Sequence, residues 1–207
     1  MPFWQAAEAV DGKLVLTWDS SVDLQNDTVT YEVSIASQPD FSANSIILRQ
    51  TGLTGTSLET SLLPNGIYYM KVVATDSKGN TQEAFDRTDI GGRAYFGAIR
   101  FTSGFLAKNI TKTTWHTSLE AALMEAASGN EIHVLQAQLE GPFTLGTAVL
   151  LSGGWNAAFS AKNGMPTVLN GGLTIQSGAS AANALEVTGQ LIIKGGSLKV
   201  DGVTIKP

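Results

Sequence analysis

The chain has no cysteine among its 207 residues, so disulfides, thiolate-bound metals and a cysteine nucleophile are excluded. Histidine occurs only at His116 and His133, and no third ligand candidate in sequence completes a zinc site around them. Charged residues are sparse at 15%, and the net charge of −5 arises entirely before residue 103. Residues 1–102 carry 7 basic and 12 acidic side chains, and residues 103–207 carry 6 of each. Lysine and arginine form no cluster, which argues against a nucleic-acid partner, because binding phosphate needs concentrated positive charge. No apolar run reaches the ~18 residues of a membrane-spanning helix, so membrane insertion is not expected. The Met-Pro-Phe-Trp start does not read as a secretory leader.

What is present suffices for folded cores. Hydrophobic residues make up 43% of the chain, and its length suits one large domain or two small ones. In the first half, Leu14, Leu16 and Trp18 alternate with Val15 and Thr17, and Val29, Tyr31, Val33 and Ile35 repeat the period of two. A third segment follows at Ile46–Leu48, and a fourth through Met70, Val72 and Ala74, closed by turn residues Asp76 to Asn80. Short alternating strands with no helical pattern between them predict an antiparallel β-sandwich over residues 1–102. The segment Arg93–Phe101, with Ala94, Phe96 and Ala98 alternating, is expected to close it.

Trp18 on an early strand, the Tyr31 strand, and Leu62-x-Pro64 four residues before Tyr68 resemble a fibronectin type III domain over about residues 5–85. That resemblance implies that Tyr68 is a tyrosine corner, its ring in the core and its hydroxyl bonded to nearby backbone. One loop in this half carries oxygen donors, Asp19, Asp23, Asn26 and Asp27. These suit either a calcium ion or an ordinary solvated turn, and their spacing does not match a helix-flanked calcium loop. Calcium is the one cofactor candidate in the chain.

The second half reads differently. Thr117 precedes Glu120 by three residues, a capping-box arrangement at a helix start. Leu119, Ala122, Leu123 and Ala126 then share a face, and Gly129 is expected to stop a helix spanning about 118–128. Such a short helix is not stable alone, so its apolar face must cover something. Short strand-like segments follow to the last residue, among them Ile132/Val134, Val149/Leu151, Leu173/Ile175 and Val203/Ile205. His133, between Ile132 and Val134, falls on the opposite face from them, and both histidines read as surface or edge residues. The pairs Gly153-Gly154, Gly171-Gly172 and Gly195-Gly196 recur at intervals of 18 and 24 residues, about one coil of a solenoid, and read as its corners.

The string Ser118–Leu123, Ala126–Ile132, Leu151–Trp155 and Pro166–Gly171 is similar to the opening of pectate-lyase-like, right-handed parallel β-helix domains, most closely those of bacterial surface proteins. The likeness covers about residues 105–207 and implies a helix capping the first coil. Enzymes of that group hold calcium with clustered carboxylates beside a basic residue, or place aspartates on successive coils. Here Asp201 is the only aspartate after residue 103, and no arginine occurs there. The chain therefore reads as a mainly β protein of two domains, 1–102 and 103–207, with no catalytic residues. The expected function is a non-enzymatic bacterial surface or extracellular structural or adhesive protein. The alternatives are the leading non-catalytic part of a polysaccharide-degrading enzyme, or a filament subunit. Expected partners are other protein chains or cell-surface polysaccharide, including self-association through an open C-terminal solenoid end. Trp115 and Trp155 are the candidate binding residues, since either indole would stack on a sugar ring if exposed.

Overall fold

The computed structural model describes residues 3–10, 13–22, 27–86 and 97–207. The chain divides into two compact units, one formed by Met1–Leu63 with Ile67–Ser103 and the other by Pro64–Gly66 with Gly104–Pro207.

In the first unit, β1 (Trp4–Val10), β2 (Lys13–Trp18) and β5 (Ser57–Ser61) pair antiparallel in the order β5-β2-β1. The two-residue β8 (Phe85–Asp86) adds to β1 in parallel, a departure from the all-antiparallel expectation. The second sheet contains β3 (Val29–Ala36), β4 (Ile46–Leu53), β6 (Gly66–Asp76) and β7 (Thr81–Glu83) in the order β4-β3-β6-β7. A fifth strand, β9 (Ile99–Ser103), also pairs with β6. Ala98 lies just before β9, whereas Ala94 and Phe96 lie outside the described residues. The two sheets share one core. Leu14, Leu16 and Trp18 from one meet Tyr31, Val33, Ile35, Met70 and Val72 from the other, as period-two alternation requires. Trp18 packs against Tyr31, whose hydroxyl accepts the backbone N–H of Ser21 at 2.8 Å. Tyr68 is also buried, tilted against Phe101, and burial pushes its phenol pKa up.

The second unit is a parallel β-solenoid of about four turns. Its first coil holds β12 (Asn130–Leu135), β13 (Gln138–Glu140) and β14 (Phe143–Leu145), and its second β15 (Val149–Trp155), β16 (Thr167–Asn170) and β17 (Leu173–Ile175). The third holds β18 (Ala179–Thr188) and β19 (Leu191–Ile193), and the fourth β20 (Ser197–Lys206). Every coil-to-coil pairing is parallel and stacks like on like. Leu151 lies beneath Ala182 and then Val200, and Leu169 beneath Val187 and then Ile205. These columns fill the interior, where Leu151, Leu169, Leu173 and Leu185 are fully buried.

A hairpin of β10 (Ala107–Asn109) and β11 (Thr114–His116) pairs antiparallel with β12 and covers the edge of the first coil. The single helix among the described residues, α1 (Leu119–Glu125), packs on β10, β11 and β14, burying Leu119 and Ala122. It is shorter than expected and starts one residue later. Ser118, not Thr117, is the N-cap: its Oγ accepts the Ala121 N–H at 3.1 Å. Glu120 occupies the first turn, where a carboxylate favours the helix dipole. Gly129 does not end the helix, because Ala126 turns extended at the C-cap. Gly129 instead has φ +83 in the turn from Ala127 into β12.

The glycine pairs also need correction. Gly153-Gly154 lies inside β15 rather than at a corner. There the register with β12 slips between His133↔Ser152 and Leu135↔Trp155, so the strand bulges. The buried Thr167 hydroxyl closes that bulge, donating to the Leu135 carbonyl at 2.7 Å and accepting the Gly154 N–H at 2.9 Å. Gly171-Gly172 is a corner between β16 and β17, and Gly195-Gly196 is a different corner, between β19 and β20. The true repeat is 18 residues, aligning Leu173 with Leu191 and Leu185 with Val203.

At the bulge level the coils bend through stacked left-handed residues: Gly154 (φ +77), Ala184 (φ +51) and Gly202 (φ +62). Alanine is the strained member of this column. Ala184→Gly should raise the stability of the solenoid unit by about 0.5–1 kcal/mol, the left-handed penalty less the entropic cost of glycine. A methyl group on Gly154 would lie 2.7 Å from the Met165 carbonyl oxygen, so Gly154→Ala should cost about 2 kcal/mol or more. Urea denaturation of both variants checks the pair. Stabilisation by both substitutions would contradict the stacked bend.

Candidate functional site

Parallel register places one outward-facing residue per strand in line. Across six strands that line reads Trp115, Lys108, His133, Ser152, Asn183, Asp201. His133 and Ser152 belong to strands whose alternate residues, Ile132, Val134 and Leu151, fill the core, so their own side chains turn outward. Both are nevertheless buried, at 8% and 3% exposure. The reason lies in the second coil, where residues 156–166 loop out between β15 and β16 and lie against the row.

His133 corrects the expectation of a surface histidine. The indole of Trp155 stacks on its ring with centroids 3.7 Å apart and planes within 11°. Its Nε2 lies 2.7 Å from Glu131 Oε1, which fixes the tautomer with the proton on Nε2. Nδ1 is buried and has no hydrogen-bond partner among the described residues. Burial holds the imidazole below its ordinary pKa of 6.5, opposed by Glu131 and assisted by the charges of Lys162 and Lys108. His116 is likewise buried, with Nε2 3.0 Å from Thr114 Oγ1 and 3.4 Å from Glu125 Oε2, so it joins β11 to the end of α1.

In the middle of the row Ser152 and Asn183 are bonded side chain to side chain. Trp155 Nε1 donates to Ser152 Oγ at 3.1 Å, and Ser152 Oγ donates to Asn183 Oδ1 at 2.9 Å. Lys162 Nζ reaches the same amide oxygen at 2.5 Å and lies 5.6 Å from the Trp155 ring centre. At the other end Trp115 is 41% exposed, with Lys108 Nζ 4.3 Å from its ring centre and Phe105 and Phe159 against it. Of the two tryptophans chosen from sequence, Trp115 is therefore accessible in part, whereas one face of Trp155 is taken by His133. Beside the row, a groove of about 780 Å³ runs between the looped segment and the last two coils. Lys162 and Met165 line one side and Asn183, Ala184, Val200 and Asp201 the other. Chemically the site offers fixed donors, acceptors and aromatic faces. Ser152 and His133 bond to Asn183 and Glu131 and not to each other.

The calcium candidates do not converge in the described residues. The Asp27 carboxylate is engaged by Lys78 Nζ at 2.8 Å and Ser77 Oγ at 3.1 Å. Asp19 lies beside the end of β2, and Asp23 and Asn26 lie outside the described residues. Lys108, Glu131, Ser152, Lys162 and Asn183 were not evident as a site from sequence. The 18-residue register links Asn183 to Asp201, but the looped segment puts Ser152 31 residues before Asn183, which hides the row from any fixed period.

No protein-family model matches the chain, and no curated protein matches it. Solved structures with some likeness include pectate lyase Pel3 from Pectobacterium carotovorum, at 12% identity and TM-score 0.35, over 99% of this chain and 64% of that one. Pectate lyase PelI from Erwinia chrysanthemi in complex with tetragalacturonic acid matches at 10% identity and TM-score 0.34, over 99% and 59%. The soluble domain of PmoD from Methylocystis sp. ATCC 49242 (Rockwell) matches at 15% identity and TM-score 0.31, over 45% of this chain and 73% of its own. The chain thus spans less than two thirds of the length of either lyase.

The environment of His133 has a measurable signature. A folded-state pKa below 6.5 means that the unfolded chain binds the proton first. The His133 contribution to stability is therefore intact above about pH 6.5 and is lost as pH falls from there toward the folded pKa. NMR titration should place the His133 pKa below 6.5. Glu131→Gln should lower it further, and Lys162→Met should raise it. A rise in the glutamine variant would contradict the charge arrangement described.

Proposed function

We propose that this chain is a non-enzymatic structural or adhesive protein of the bacterial surface or extracellular space. Its solenoid is a rigid contact surface for other protein chains or cell-surface polysaccharide. The observation that carries this reading is the outward row from Trp115 to Asp201. Backbone register holds its members about 4.8 Å apart, and side-chain bonds fix His133, Ser152 and Asn183 in place. Preset donors and a half-exposed indole favour recognition of a ligand without reorganisation. The first unit, with two sheets around one core and a buried Tyr31 and Tyr68, is read as a fibronectin type III-like spacer. A calcium ion near Asp27 would have to displace Lys78, so no cofactor enters the proposal.

One further observation favours association between copies. On the last strands of the solenoid, Val200 and Ile205 of β20 and Ile193 of β19 stand over the buried residues Ala182, Val187 and Ile175, yet each is at least half exposed. An apolar sheet end with an open strand edge is a surface on which further β-structure adds.

The test of the non-enzymatic reading is incubation of the purified chain with a panel of plant and bacterial polysaccharides. Retention of one or more of them with no release of unsaturated or reducing products is expected. Product release that survives repurification would overturn it. For self-association, light scattering over a range of concentrations should show oligomers that Val200→Lys with Ile205→Lys disperses. A monomer at every concentration would remove that part of the proposal.

A further inference from the structure

Residues 156–166 are held over the polar row at both of its ends. The segment folds back on itself through Asn156 N–H to the Ala161 carbonyl at 2.9 Å and Asn163 N–H to the Gly154 carbonyl at 3.0 Å. At one end Phe159, 6% exposed and at φ +54, meets Trp115 edge-on at 5.5 Å. At the other end Lys162 reaches Asn183. Between them Trp155, the last residue before the segment, covers His133. The covering is the reason that two outward-facing polar residues, His133 and Ser152, are almost closed to solvent. Asn65 Nδ2 donates to the Ala157 carbonyl at 2.8 Å and so ties down the start of the segment, whereas residues 160–165 are exposed and Phe159 sits in a left-handed conformation, so the part that carries Lys162 is the less stable one.

We propose that residues 156–166 form a strap that opens in acid, released when the buried His133 ring takes up a proton. The charged groups facing that ring are Glu131 on its own strand, Lys108 on β10 and Lys162 on the strap; its neighbours on β15, Ser152 and Trp155, are uncharged. In the neutral ring, Nε2–H donates to Glu131 and the bare Nδ1 needs no acceptor. Protonation places an N–H at Nδ1, which is buried with no acceptor among the described residues. It also sets a cation beside two ammonium groups, of which Lys162 is carried by an exposed loop and Lys108 by a strand of the sheet. Glu131 and the π-face of Trp155 favour the charged ring, while burial and both lysines oppose it. The balance lies with the neutral form, in line with the lowered pKa. Opening withdraws Lys162 from Asn183 and admits solvent to the row beside Trp155. The inference is independent of what, if anything, then binds the row.

Hydrogen exchange of the intact chain tests this, with rates corrected for the intrinsic pH dependence of exchange. Protection of residues 156–163 should fall about tenfold or more between about pH 7.5 and pH 5, the range in which a histidine charges, while that of β18 holds. His133→Phe keeps a flat ring beneath Trp155 but takes no proton, so its strap protection should not change with pH. If that variant loses protection throughout the coils, His133→Gln supplies the same comparison with a smaller uncharged side chain. Protection that is constant with pH in the parent chain overturns the proposal. So does an equal fall in the variant that folds, since the trigger is then another group.

Discussion

Parallel stacking of one coil on the next, in register, is the constraint from which the rest of the solenoid follows. Once Leu173 lies beneath Leu191 and Leu185 beneath Val203, every neighbouring position is committed. Inward residues form continuous apolar columns, outward residues form continuous rows, and the bends stack on one another. A slip of one residue would exchange the two faces and put Lys199 or Glu186 where Val200 or Val187 stands. The apolar columns therefore specify the polar row as strictly as they specify the core.

The same constraint explains why extra residues in the second coil leave the sheet. Segment 156–166 has no counterpart in the coil above or below, so it has no place in the ladder and must loop outward. Once outside, it packs on the nearest available surface, the row itself. Gly153-Gly154 mark its departure, because a bulged strand redirects the chain and a left-handed glycine tolerates the close approach of the Met165 carbonyl. Thr167 receives the chain on its return and bonds to the bulge with its buried hydroxyl. Stacked coils, inserted segment and buried histidine are thus consequences of one arrangement.

Much of this was legible in the sequence, because period-two alternation reports burial directly. Leu14 to Trp18 and Val29 to Ile35 are strands with the expected faces inward, and Ile132 and Val134 are interior while His133 faces out. The capping helix was legible from Leu119 and Ala122, but not its first residue. Thr117 and Ser118 are both competent caps, and the choice depends on where Leu119 must point to meet the first coil. The glycine pairs misled because they look alike and serve different ends: a bulge at Gly153-Gly154, one corner at Gly171-Gly172, another at Gly195-Gly196. Aligning the last two as equivalents produced the 24-residue spacing in place of 18. The burial of His133 was beyond reach, since it comes from Trp155 and an insertion whose path no local pattern records. The row was unreadable for the same reason.

The reading of the solenoid as a fixed contact surface depends on the register of its coils, and the absence of cysteine makes that register directly measurable by pairs of introduced thiols. Thr174 and Ile192 are direct partners on adjacent strands. Lys199 is the residue that a match between the Gly171-Gly172 and Gly195-Gly196 corners, with Ser197 as a one-residue insertion, would place beside Thr174. Under mild oxidation, Thr174→Cys with Ile192→Cys should cross-link in the folded chain with little loss of stability, because neighbouring outward positions suit disulfide geometry. Thr174→Cys with Lys199→Cys should remain reduced. Cross-linking of the second pair and not the first would contradict the 18-residue stack, and with it the row, the strap and the contact surface.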